Sequence, residues 1–348
     1  MAEAERILSP RELNRALLAR QLLLGRARSP LPRALERIGG IQAQYAPSMY
    51  IGLWSRLECF ERDDLTRALE RRSVVQGTLM RVTIHLVSAG DYWPFTVAVR
   101  KPRREQWLRA RPGGPGARSL SAAAKRLRRR LADGPLQRKE IDELVGMGAV
   151  GVNGVGMWVD LVRVPPSGTW ERRRADLYAS AEEWLGPAEA TEGEGVELLV
   201  RRYLAGFGPA TSNDIAVYTG LPPKAIAPVL ERPRLRRFRT EDGEELLDLP
   251  RAPLPDPDTP APVRFLPVWD STLLVHARRT GILPEEYRPK VFNARTPQSV
   301  NTFLVDGAVA GTWKYDRGGV RMEPFRRLDR STRRELDDEA GRLAALHA

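Results

Sequence analysis

The sequence predicts an α+β chain: three tandem winged helices followed by a small, barrel-like β domain. Three observations carry that prediction. A Gly-Pro unit occurs twice with the same internal spacing. Gly134-Pro135-Leu136-Gln137-Arg138-Lys139-Glu140-Ile141 runs on to Gly146, and Gly208-Pro209-Ala210-Thr211-Ser212-Asn213-Asp214-Ile215 runs on to Gly220. Each copy follows an amphipathic basic helix and precedes a hairpin-like segment. The proline-rich stretch Pro250 to Pro262 then separates these modules from four short strand-like runs.

The elements follow in order. Leu8-Ser9-Pro10-Arg11-Glu12-Leu13 reads as a capped helix start, helices continue to about Arg72, and Val74 to Val87 has strand composition. Residues 1–117 form the first module on this reading, which fits the plan more loosely than the next two. In the second, residues 118–192, a helix over Ala122 to Ala132 leads into the first Gly-Pro copy. Trp158 to Val164, the turn Pro165-Pro166-Ser167-Gly168 and Thr169 to Arg173 close it. The third, residues 193–250, runs from a helix over Val196 to Ala205 through the second copy to a further helix ending near Glu231. Its hairpin is Leu235 to Thr240 and Glu245 to Leu249 about Asp242-Gly243. In both copies a polar residue can cap a short helix that stops at glycine. Residues 251–348 hold strands at Val263 to Trp269, Ser299 to Val305, Val309 to Tyr315 and Val320 to Phe325. A helix is expected around Thr272–Arg279, N-capped by Asp270, and another over Ser331 to Ala345.

Composition narrows the function. Among 348 residues, Lys and Arg exceed Asp and Glu by 12, and Arg dominates the excess. High-GC codon usage can produce an arginine bias, but the net charge itself attracts a polyanion. Arg100-Lys101-Pro102-Arg103-Arg104, Lys125-Arg126-Leu127-Arg128-Arg129-Arg130 and Arg172-Arg173-Arg174 concentrate it, although each alone is an ordinary solvated face. Cys59 is the only cysteine, so no internal disulfide is possible and a reducing cytoplasm is favoured. His85, His276 and His347 are too scattered to suggest a metal site, so no metal or cofactor is expected. No apolar run reaches the ~20 residues of a membrane span.

The chemistry centres on Gln42 and Gln44, in Gly39-Gly40-Ile41-Gln42-Ala43-Gln44-Tyr45-Ala46-Pro47. A buried amide needs partners for both its oxygen and its nitrogen, so two amides framed by glycines and aromatics imply a polar contact. On a helix, positions i and i+2 point about 200° apart; on extended backbone they share a side. The alternatives of an extended segment, a loop or a helix end stay open, as does a plain capping role.

Several segments resemble the AlkZ-like winged-helix DNA glycosylases, which include the YcaQ group. They are Ile41-Gln42-Ala43-Gln44, Gly52-Leu53-Trp54-Ser55-Arg56, Leu79-Met80-Arg81-Val82-Thr83-Ile84-His85-Leu86-Val87, Phe265-Leu266-Pro267-Val268-Trp269-Asp270-Ser271, and Val305-Asp306-Gly307-Ala308-Val309-Ala310-Gly311-Thr312-Trp313. The resemblance implies a C-shaped clamp of winged helices and a β-barrel, and release of N7-alkylated purines from double-stranded DNA. Some members of the family unhook interstrand crosslinks. It also implies a catalytic Gln-x-Gln at Gln42 and Gln44, where the YcaQ branch carries a carboxylate. The expected partner is duplex DNA bearing alkylated or crosslinked purines, met by a monomer in the bacterial cytoplasm, on the nucleoid when bound.

An amide is no general base near pH 7, but it can orient a water beneath C1′. That suffices only for a base that already leaves well, such as a cationic N7-alkylpurine. A crosslinked base cannot rotate out of the duplex, so an open cleft is expected beside Gln42. Arg81, His85 and Trp54 are carried as DNA-contacting candidates. Arg81 could meet a phosphate or a carboxylate, His85 is otherwise a satisfied structural residue, and Trp54 and Tyr50 otherwise read as core or cleft wall. The same modules also fit a non-catalytic transcription regulator; a protein-interaction scaffold fits them too, but not the charge.

Overall fold

The computed structural model describes residues 5–232, 234–274, 281–292 and 299–348. Strand β1 (Ile7–Leu8) leads into α1 (Pro10–Arg20). Ser9 caps α1 and Glu12 completes a capping box, as the Ser-Pro-x-Glu spacing predicts. α2 (Leu31–Ile38) stops because Gly39 adopts the left-handed conformation, φ 78°. There follow β2 (Ile41–Gln42), α3 (Ala46–Trp54), α4 (Arg62–Glu70), β3 (Val74–Thr78) and β4 (Ile84–Ser88). Long α5 (Ala89–Arg109) and α6 (Ala117–Leu131) lead to β5 (Leu136–Gln137).

The two Gly-Pro copies form matching elements. α7 (Arg138–Val145) ends at left-handed Gly146, and later α11 (Ser212–Thr219) ends at left-handed Gly220. The first copy continues through α8 (Gly148–Val159), β6 (Leu161–Arg163), β7 (Leu177–Ser180) and α9 (Ala181–Leu185). The second copy is introduced by α10 (Glu192–Phe207) and continues, after α11, through α12 (Pro223–Leu230), β8 (Arg236–Thr240) and β9 (Glu245–Asp248). Two glycines let α10 seat closely: a Cβ at Gly195 would lie 2.3 Å from the Pro94 carbonyl oxygen of α5, and one at Gly206 would lie 2.7 Å from that of Ile38 in α2. α10 therefore docks the second copy against α5 and α2.

Strand pairing crosses the modules. β2-β4-β3-β6-β7-β5 form one six-stranded sheet, so the hairpin of the first copy continues the sheet begun by β2–β4. β1 pairs parallel to β8, joining the start of the described chain to the hairpin of the second copy. The buried, bidentate Arg20–Asp248 pair ties α1 to β9 nearby.

β10 (Arg264–Leu266), α13 (Arg288–Val291), β11 (Thr302–Val305), β12 (Ala308–Asp316), β13 (Gly319–Pro324) and α14 (Arg330–His347) complete the chain. The four strands lie where the sequence predicts, but the barrel does not: they form an open antiparallel sheet in the order β10-β11-β12-β13. Leu336, Ala340, Leu343 and Leu346 of α14 share a core with Phe265, Phe303 and Trp313, so a helix covers the strands that would otherwise have to close on each other. Asp270 also differs from expectation. It accepts from the Thr272 backbone N–H, but its main partner is Arg56, in a buried bidentate pair at 2.9 and 3.0 Å. The rest of the helix expected around Thr272–Arg279, from residue 275 on, lies outside the described residues, as does His276. Among the described residues no helix is long and apolar enough to cross a membrane.

Candidate active site

Gly39 and Gly40, both at positive φ, turn the chain out of α2 so that β2 can pair with β4. Gln42 stands opposite His85, and the Ala43 N–H donates to the Ile84 carbonyl at 2.7 Å. The strand then bends into α3, whose cap residue Tyr45 is extended. Both glutamine side chains meet: Gln42 Nε2 donates to Gln44 Oε1 at 3.0 Å. Of the arrangements the spacing left open, the pair spans a strand end and a loop: Gln42 ends β2 and Gln44 lies in the bend that follows it.

The pair is asymmetric. Gln42 is 5% exposed, whereas Gln44 is exposed, as is Tyr45 beside it at 44%. Arg81 Nη2 donates to Gln42 Oε1 at 3.3 Å. Its Nη1 donates to the carbonyl of Tyr218, and its guanidinium lies 4.9 Å from that ring. Arg81 sits in a 3-10 turn, Met80–Val82, where Arg81 and Val82 both have positive φ, 54° and 59°. For non-glycine residues that geometry costs roughly 1–2 kcal/mol each. Burial lowers the pKa of Arg81 and raises that of Tyr218 to about 12.

His85 is wholly buried. Its Nδ1 lies 3.1 Å from the Thr83 carbonyl, so that nitrogen carries the proton, and Nε2 has no partner among the described residues. Burial, followed by the charge of Arg81, lowers its pKa to about 3, so the ring is neutral near pH 7. Trp54 is 8% exposed at the far end of α3, about 12 Å along the helix from Ala46. Its ring carries the Arg26 guanidinium at 4.6 Å. Both side chains are thus enclosed by protein rather than set out on the surface. Both come from apolar segments, and the core takes them.

The basic runs divide in the same way. Arg100 and Arg103 both pair with Asp160, and Arg172 and Arg174 with Asp176, whereas Lys125, Arg126 and Arg129 are exposed on α6. Sequence reasoning missed Tyr218 and also Arg163, whose Nη1 donates to the Ala43 carbonyl at 3.4 Å. Arg163 lines a recess of about 300 Å³ with Arg111, Arg138, Thr78 and Ile84. No local signal marks either residue, because both arrive through long-range packing.

Residues 35–346 match the AlkZ-like DNA glycosylase family. The chain belongs to that family. As an AlkZ-like DNA glycosylase it is a DNA-binding hydrolase, and the transcription-regulator alternative is set aside. Its fold is similar to that of the Streptomyces sahachiroi DNA glycosylase AlkZ, with a TM-score of 0.81 covering 97% of each chain at 18% identity. No curated protein matches it in sequence.

Proposed function

We propose that this AlkZ-like protein is a monofunctional glycosylase that hydrolyses the N-glycosidic bond of cationic N7-alkylpurines in duplex DNA, with water as nucleophile. The observation that carries the reading is the exposed amide of Gln44, hydrogen-bonded to buried Gln42. Gln44 Oε1 keeps a lone pair that can accept from water, and no carboxylate belongs to the pair. The gain is orientation: the amides align the attacking water, and the base departs neutral without protonation. Neither partner of Gln42 is an amine that could form a Schiff base with the sugar, which supports water over lyase chemistry.

Each Gly-Pro copy with its hairpin is read as a winged helix, and the N-terminal module as a third. Exposed residues such as Arg126 and Arg129 then meet phosphates, and affinity falls steeply with salt. The exposure of Gln44 and Tyr45 supports an approach to the lesion without full extrusion, and hence unhooking of crosslinks. The test is release of free base from duplexes carrying N7-methylguanine or uracil. Methylguanine release is expected, slowed on the order of 10²-fold by Gln44→Ala and by Gln42→Ala. Uracil release at a matching rate, or alanine variants as fast as wild type, would refute the mechanism.

A further inference from the structure

A glutamine amide can turn by 180° with almost no change in shape, exchanging its acceptor for its donors. Two glutamines facing each other can therefore bond in either direction and would interchange if left alone. In this protein they have a third neighbour that cannot change roles. A guanidinium only donates. With Arg81 Nη2 3.3 Å away, Gln42 must offer Oε1 to it; the reverse would set N–H against N–H. Gln42 Nε2 then faces Gln44, which must answer with Oε1, as it does at 3.0 Å. One Nε2 group and one lone pair of Gln44 are left facing out.

We propose that Arg81 is a positioning residue whose guanidinium fixes the direction of both amides, and so which atoms Gln44 presents to the reacting water and sugar. The inference rests on the reading of Gln42 and Gln44 as water-orienting groups.

Arg81 is itself well held. Its other nitrogen is engaged by the Tyr218 carbonyl, and its backbone sits in a left-handed turn. At Gly220, the stop of the second Gly-Pro copy, a Cβ would lie 3.3 Å from the Arg81 nitrogen, so that glycine lets the turn approach. The second copy thus clamps Arg81, 137 positions earlier in the chain, and through it the motif that Arg81 orients. A role as phosphate ligand is less consistent with this geometry, because both terminal nitrogens already face protein oxygens. The neutrality of buried His85 fits as well, since it adds no second cation beside Arg81.

The experiment uses the full chain and duplex DNA containing one N7-methylguanine. Single-turnover base release at saturating protein is measured separately from DNA affinity and its salt dependence. Arg81→Ala and Arg81→Lys are compared, each alone and together with Gln42→Ala. If Arg81 works through Gln42, Arg81→Ala slows release on the order of 10²-fold. Affinity and salt slope stay as in wild type, and no further loss occurs once Gln42 is alanine. Arg81→Lys keeps a donor without the fork and retains more activity than Arg81→Ala. Should the alanine variant fail to fold, the lysine variant carries the same cycle. A normal saturated rate with weaker binding, and a salt slope lower by about one, would make Arg81 a phosphate contact and overturn the proposal. Equal losses with and without Gln42 would overturn it too, since Arg81 would then act by some route other than the amide. A wild type that releases no methylated base would instead sink the functional reading, and this proposal with it.

Discussion

The two Gly-Pro copies follow one local design and end in different tertiary roles. Shifted by 74 positions, Ile141 matches Ile215, Glu140 matches Asp214 and Leu144 matches Tyr218. Both isoleucines are fully buried and both acids accept from the backbone N–H of their cap residue, at 2.7 and 3.2 Å. At the third pair the copies part. Leu144 is half-buried at the edge of its own small core. Tyr218 is 1% exposed, packed 4.9 Å from Tyr203 and from Phe207, and its hydroxyl donates to the Gly39 carbonyl. A repeat that looks like simple duplication thus supplies one module whose hairpin extends a sheet and another that braces the glutamine site.

Breaking the matched third position should give the largest contrast. Tyr218→Ala removes a buried ring, costing about 3–5 kcal/mol, and with it the aromatic face on which the Arg81 guanidinium rests, while the backbone carbonyl that accepts from Arg81 stays, so stability and base release fall together. Leu144→Ala should cost roughly 1 kcal/mol and leave release unchanged. Chemical denaturation with single-turnover assays decides it; equal destabilisation by the two would erase the distinction.

A second test concerns the sheet to which the copies contribute unequally. His85 titrates near 6.5 when unfolded and near 3 when folded, so between those values the unfolded chain binds the extra proton. Its contribution is complete above pH 6.5 and is lost as pH falls toward 3, at about 1.4 kcal/mol per unit. Thermal unfolding from pH 7.5 to 5 should show this slope in wild type and lack it in His85→Asn. Identical slopes would mean that the imidazole is not held neutral.

The smallest effect should come from the caps. Thr211 Oγ1 accepts from the Asp214 N–H at 3.0 Å in a half-buried setting, while Glu140 caps in the open. Thr211→Ala is expected to cost about 1 kcal/mol and Glu140→Ala about half of that. The reverse order would show that burial does not separate the copies.

Much of this was legible before the structure. Caps and stops are local, so Ser9, Gly146 and Gly220 announced their helices, and four strand-like runs announced the strands of the C-terminal sheet. Its closure was not legible, because strand composition does not say that α14 will cover the face. Asp270 was half-legible: its turn is local, but its partner Arg56 lies 214 positions away. The burial of Trp54 and His85 was not legible, because residue type shows chemical capacity and not exposure.

What the sequence determined by itself was the inventory and the local order: two amides two residues apart, no carboxylate in the pair, a repeated helix unit and a strongly basic chain. Those follow from residue identity and short-range backbone preference. Only the tertiary structure decided that the amides share a side, that Gln42 is buried and Gln44 open, and that Arg81 faces the pair while Tyr218 holds Arg81. Those contacts join residues 39 and 137 positions apart, and hydrogen-bond direction among interchangeable amides is set by whichever donor long-range packing brings beside them.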